Sequence, residues 1–124
     1  LGERRLKRSP LKDVAGMLRS FHYAAFSPLI QEKIAGEYEE LEHWAKLWTY
    51  YVSKTFLNTY LEHINSSAII PEDRTEISKL LSIYLLEKAV YEVGYEINNR
   101  PDWLAIPLKG ILYEIGAIND EKKE

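Results

Sequence analysis

An all-α fold of about four main helices is the expectation for this chain, and three observations predict it. Apolar residues recur at i, i+3, i+4 and i+7, glycine and proline cut the sequence into segments of helical length, and no stretch sustains period-two alternation with β-branched residues. The 124 residues fit one domain, 1–124, with 46% hydrophobic and 28% charged residues of both signs, which is a globular rather than a disordered composition.

Residues 1–9 read as a linker whose basic cluster, Arg4, Arg5, Lys7 and Arg8, suits solvated charge better than an anion site. Ser9-Pro10 is an N-cap followed by proline at the first helical position. Leu11, Val14, Ala15 and Leu18 then share a face, predicting a first helix from about 10 to 25. Ser27-Pro28 repeats the start signal, and Gly36 is a weak point. From Tyr38 to Ile64 the sequence places Leu41, Trp44, Trp48, Tyr51, Val52 and Thr55 along one side of what should be the longest helix, with the two tryptophans as core or helix-docking anchors. The acidic run Glu37, Glu39, Glu40 and Glu42 suits the positive end of that helix.

Asn65, Ser66 and Ser67 mark a loop. After Pro71, Glu72 and Asp73 favour a helix start, so a third helix is expected from about 72 to 99. It stops for two reasons: the asparagines 98 and 99 tolerate a helix end, and Pro101 disfavours helical geometry at Arg100. Pro107 should open a short last helix to about 116, leaving 117–124 as a frayed, charged tail.

Composition removes several function classes. A net charge of -3, without a Lys/Arg stripe, argues against nucleic acid as a partner. No apolar run approaches the roughly 20 residues that span a bilayer, so no membrane partner is expected. Zero cysteines exclude disulfides, thiolate metal sites and cysteine catalysis, and fit a cytoplasmic protein. His22, His43 and His63 are far apart and form no H-x-x-x-H pair, so a structural or surface role is expected and no metal ligand is assigned.

Chemistry concentrates between Leu86 and Leu108. Ile77, Leu81, Tyr84, Lys88, Tyr91 and Tyr95 advance by four, three, four, three and four residues and so line one helix face, aliphatic at first, then offering an ammonium and two phenols. Glu92, Glu96 and Asn99 adjoin it, with Arg100, Asp102 and Trp103 just past the break. Sugars present many hydroxyls and flat apolar C–H faces, and this mixture of aromatic surface with short donors and acceptors is what a carbohydrate pocket uses. The same spacing also fits packing tyrosines with wet hydroxyls and an ordinary Lys88–Glu92 pair, and the residues alone leave both readings open.

Equally telling, no glycine-rich phosphate loop, His-x-Asp catalytic loop or metal-binding aspartate motif occurs, so no catalytic residue is assigned within these residues. The chain begins at Leu1 rather than Met, and an upstream part is expected.

Two phrases, SPLKDVAGMLRSFHYAAF at 9–26 and LEKAVYEVGYEINNRPDWLAIPLKGIL at 86–112, resemble the C-terminal lobe of bacterial maltokinases, which occur alone or fused behind trehalose synthase and share the two-lobed fold of aminoglycoside phosphotransferases and protein kinases. The match is strong in those phrases and loose between them. It implies a helical fragment of a kinase-like C-lobe, non-catalytic by itself. The parent would phosphorylate maltose to maltose 1-phosphate in trehalose and α-glucan metabolism, with ATP, magnesium and a catalytic aspartate supplied upstream. Its partners would be maltose, the missing upstream lobe and, in fused forms, a trehalose synthase domain. The fragment would hold no cofactor. The resemblance further implies that Lys88, Tyr91 and Tyr95 face bound maltose, with Glu92, Asn99 and Arg100 completing the sugar-binding set. Asp13 would tie down the catalytic loop, and Trp103 would support the site.

One departure stands out, because the family commonly reads Ser-Phe-Asp-Tyr where this chain has Ser20-Phe21-His22-Tyr23. An imidazole replaces a carboxylate, with consequences for pH dependence. The rival expectation is a stand-alone all-α protein-interaction module that docks through its tyrosine and tryptophan faces.

Overall fold

The structure is a computed structural model, and it describes residues 9–32, 38–64 and 73–123. Four helices account for almost all of them: α1 (Pro10–Glu32), α2 (Tyr38–His63), α3 (Arg74–Asn99) and α4 (Ala105–Lys123), with a 3₁₀ turn, Pro101–Trp103, between the last two. No strand occurs among the described residues, as the sequence predicts. The basic cluster at 4–8, Gly36, Glu37 and residues 65–72 lie outside them.

Local chemistry explains most helix ends. Ser9 caps α1 by accepting from the Leu11 N–H at 3.3 Å, and Asp73 caps α3 by accepting from the Thr75 N–H at 2.9 Å. At the far end of α3 the Arg100 N–H still donates to the Glu96 carbonyl at 2.8 Å before Pro101 turns the chain. Helix α2, expected to be the longest, has 26 residues, the same as α3.

Two boundaries differ from expectation. Helix α1 runs straight through Ser27-Pro28 instead of restarting there. Pro28 cannot donate to the Ala24 carbonyl, but both residues are exposed, so water can satisfy the freed oxygen. The next turns also bury Phe26 and pack Leu29 and Ile30, a tertiary gain that outweighs the lost bond. Helix α4 begins two residues before Pro107 and extends to Lys123, well past 116. In the first turn a proline removes no intrahelical bond, and here Pro107 is fully buried.

Helix α1 is the central element, and named contacts fix the directions of the rest. Leu11, Val14 and Ala15 meet Ile77, Leu81 and Tyr84, while Arg19 and Tyr23 further along reach Glu92 and Glu96, so α3 runs parallel to α1. The end of α2, from Phe56 to Leu61, packs where α1 begins, and its start, at Ala45, packs on Phe26 near the end of α1. Thus α2 is antiparallel. Helix α4 returns the same way, with Ile106 against Phe26 and Gly110 against the Arg19 guanidinium.

The core is therefore two apolar clusters along α1. One is built on Leu11, Val14, Ala15, Ile77, Leu81 and Tyr84, and the other on Phe26, Ala45 and Ile106. A layer of buried polar side chains lies between them. Of the two expectations for the tryptophans of α2, core or helix-docking anchors, the core one does not hold: Trp44 is 60% exposed and Trp48 46%, with Tyr51 beside them at 61%, while Ala45, Phe56 and Leu57 turn inward.

Candidate functional site

The polar layer and the exposed C-terminal half of α3 are one construction. The buried stripe of α3 continues from Tyr84 through Ala89, Glu92 and Glu96, which turns Lys88, Tyr91 and Tyr95 outward. Glu92 and Glu96, adjacent to that face in sequence, project the other way.

Glu92 accepts from Arg19 Nε at 2.7 Å, with both side chains almost fully buried. Burial pushes the Glu92 carboxyl above the usual range even though Arg19 pulls against it. Arg19 also donates through Nη1 to His22 Nδ1 at 2.8 Å. A guanidinium has only donors, so this bond requires a neutral imidazole with its proton on Nε2. Burial, the Arg19 charge and then Lys109 depress the His22 pKa to about 3. Arg19 Nη2 is buried without a hydrogen-bond partner among the described residues, beside Gly110, where any Cβ would meet the guanidinium. Glu114, its pKa raised by burial and lowered in part by Ser82 and Arg19, completes the layer from α4.

Glu96 is fully buried and takes three bonds. Tyr23 Oη donates to its Oε2 at 2.8 Å, Arg100 Nε to its Oε1 at 2.9 Å and Arg100 Nη2 to its Oε2 at 3.2 Å. Burial and the bond to Glu96 raise the Tyr23 phenol well above its ordinary range, keeping it a donor. The Arg100 guanidinium, clamped by this fork, lies over the Trp103 ring at 4.0 Å and near Tyr95 at 5.4 Å.

The exposed surface consists of Tyr91, 66% accessible, with Lys88 Nζ 5.2 Å above its ring, followed by Tyr95, Arg100 and Trp103. Asn99 closes the helix end by donating to the Tyr95 carbonyl at 2.9 Å. A Cβ built at Gly94, which falls between the two tyrosines in sequence, would meet no atom within 4 Å among the described residues, although glycine costs a helix interior about 0.5–1 kcal/mol relative to alanine. Of the six residues expected to bind sugar, the structure brings Lys88, Tyr91, Tyr95, Asn99 and Arg100 to one surface. Glu92 faces inward to Arg19.

Asp13 is exposed in the first turn of α1, close enough to contribute to the raised Tyr60 phenol, and Trp103 is half-buried beneath Arg100. Arg19 and Tyr23 are the residues that sequence reasoning missed. Their spacing from α3 in sequence hides the pairing, although an arginine on an otherwise apolar helix face was a readable signal. His43 sits at the edge of Trp44, and His63 Nδ1 donates to the Thr59 carbonyl at 2.8 Å. No cluster of three metal-ligating side chains occurs among the described residues. No helix among them is long and apolar enough to cross a membrane. No family model matches the chain.

Proposed function

We propose that this chain is the acceptor-side part of a maltokinase-like sugar kinase C-lobe, contributing the maltose-binding wall for ATP-dependent phosphorylation of maltose to maltose 1-phosphate. The observation that carries the reading is the surface of Lys88, Tyr91, Tyr95 and Arg100: two exposed phenols, an ammonium and a guanidinium held rigid by buried Glu96 and Tyr23. Aromatic rings take the C–H face of a pyranose, and the charged donors orient its hydroxyls. The upstream lobe would supply ATP, magnesium and the catalytic aspartate, and a trehalose synthase domain would precede it in a fused form. Such an enzyme works in the cytoplasm.

Phosphoryl transfer depends on positioning and charge neutralisation, so this wall acts on the acceptor alone. The test is maltose phosphorylation by the chain extended upstream, with glucose and trehalose as controls. Tyr91→Ala should raise the KM for maltose about tenfold and leave the KM for ATP unchanged, as expected when about 1.4 kcal/mol of acceptor binding is lost. Equal losses for both substrates, or an extended protein inert towards maltose, would sink the reading.

The second reading, an all-α interaction module, is favoured by the outward aromatic row of α2, which is apolar and uncovered.

A further inference from the structure

Helix α2 is amphipathic twice over. Its inner face packs on α1 through Ala45, Phe56 and Leu57, while Leu41, Trp44, Trp48, Tyr51 and Thr55 form a second, outward row beside it. Steps of three, four, three and four residues are the seam of a two-stranded coiled coil rather than the wider stripe of a core helix. Desolvating such a row needs another long helix face.

Charge beside the seam selects the occupant. Taking Leu41, Trp48 and Thr55 as one set of seam positions and Trp44 and Tyr51 as the other, the flanking positions on one side are Glu40, Leu47 and Lys54. In a parallel pair of identical helices this flank would face the other flank, Ala45 and Val52, and Glu40 and Lys54 would meet no opposite charge. In an antiparallel pair the two-fold axis falls near Leu47, so Glu40 of each copy faces Lys54 of the other, twice, and Trp44 packs on Trp48 across the axis. The helix macrodipoles also oppose favourably.

We infer that two copies of this chain associate through α2 as an antiparallel, two-fold helix pair seamed by Leu41, Trp44, Trp48 and Tyr51 and fixed in direction by reciprocal Glu40–Lys54 pairs. This inference stands independently of the sugar-kinase reading, because it uses none of the α3 surface.

Sedimentation equilibrium of the 124-residue chain tests it. A monomer–dimer equilibrium in the micromolar range is expected. Trp48→Glu should abolish it with helicity by circular dichroism retained, since this side chain is outside the core. Lys54→Glu should weaken the dimer about tenfold by setting Glu40 against a carboxylate, and Glu40→Lys added to Lys54→Glu should restore it. A monomer at every concentration, or a dimer indifferent to Trp48→Glu, overturns the pairing. A Lys54→Glu defect that Glu40→Lys fails to repair overturns the antiparallel direction.

Discussion

His22 shows how one residue type sets a solution property. Its folded-state pKa is about 3 against an ordinary 6.5, so in this window the unfolded chain binds the proton that the folded chain refuses. Stability therefore rises with pH between about 3 and 6.5 and is lost on acidification. Between pH 7 and pH 5 the loss due to His22 is about 2 kcal/mol. Glu92 and Glu114, whose carboxyls are raised by burial, act in the opposite sense as pH rises above the ordinary carboxylate range. His22→Asn places an uncharged acceptor near the Nδ1 position and should remove that slope, so thermal melts of both proteins at pH 7 and pH 5 isolate the histidine. Equal pH slopes in the two proteins would mean that the imidazole is not buried as a neutral acceptor. The histidine was visible in the sequence, but its pairing was not: Arg19, three residues away on the same helix, stands out on an apolar face, yet nothing in its spacing shows that α3 and α4 cover it and aim it at His22.

Among the elements, α1 and α3 are joined by the Arg19–Glu92 pair, and α4 is drawn onto it by Gly110. Removing one member of a buried pair strands the other, at a cost of about 3–5 kcal/mol, whereas replacing both with apolar groups of similar volume is far less damaging. Arg19→Met should therefore unfold at much lower urea concentration than the parent, and Arg19→Met with Glu92→Leu should recover most of the difference. If the double variant is as weak as the single, the arginine contributes through packing of its stem and not through charge. Helix existence and the Ser9 cap were readable in the sequence, since a cap acts within two residues of itself, whereas Asp73 was read only as acidic charge favouring a helix start at about 72. The passage through Pro28 was not, because local preference argued for a stop and only burial of Phe26 against Ala45 and Ile106 outweighed it.

For the whole molecule, two apolar clusters share one central helix, and the polar layer between them ties α1, α3 and α4 together. Such an arrangement should unfold as one unit. Leu81→Ala, in the first cluster, should cost about 2–5 kcal/mol. In a Trp44→Phe, Trp48→Phe background, it should shift the transition followed by fluorescence of the remaining Trp103, in the second cluster, by the same amount as that followed by helical circular dichroism. Separated midpoints would show that the clusters melt independently. At this scale the chain also presents two unlike surfaces, a cationic and phenolic one on α3 and an apolar one on α2, and the proposals for sugar and for a second copy divide along that line.

By itself the sequence determined the helical class, the four main segments, the Ser9 cap and the chemical character of the α3 end, because these depend on spacing and on side chains acting within one or two turns. Tertiary structure decided which face of each helix is inside. The hydrophobic pattern of α2 offered two faces, and α1 took the one with Ala45, Phe56 and Leu57, leaving the tryptophans outside. On α3 it drew in Glu92 and Glu96 while leaving Tyr91 and Tyr95 exposed. The physical reason is common to both: a carboxylate can be buried once an arginine and a tyrosine from elsewhere in the chain complete its bonds, and periodicity along one helix carries no record of partners brought in by another.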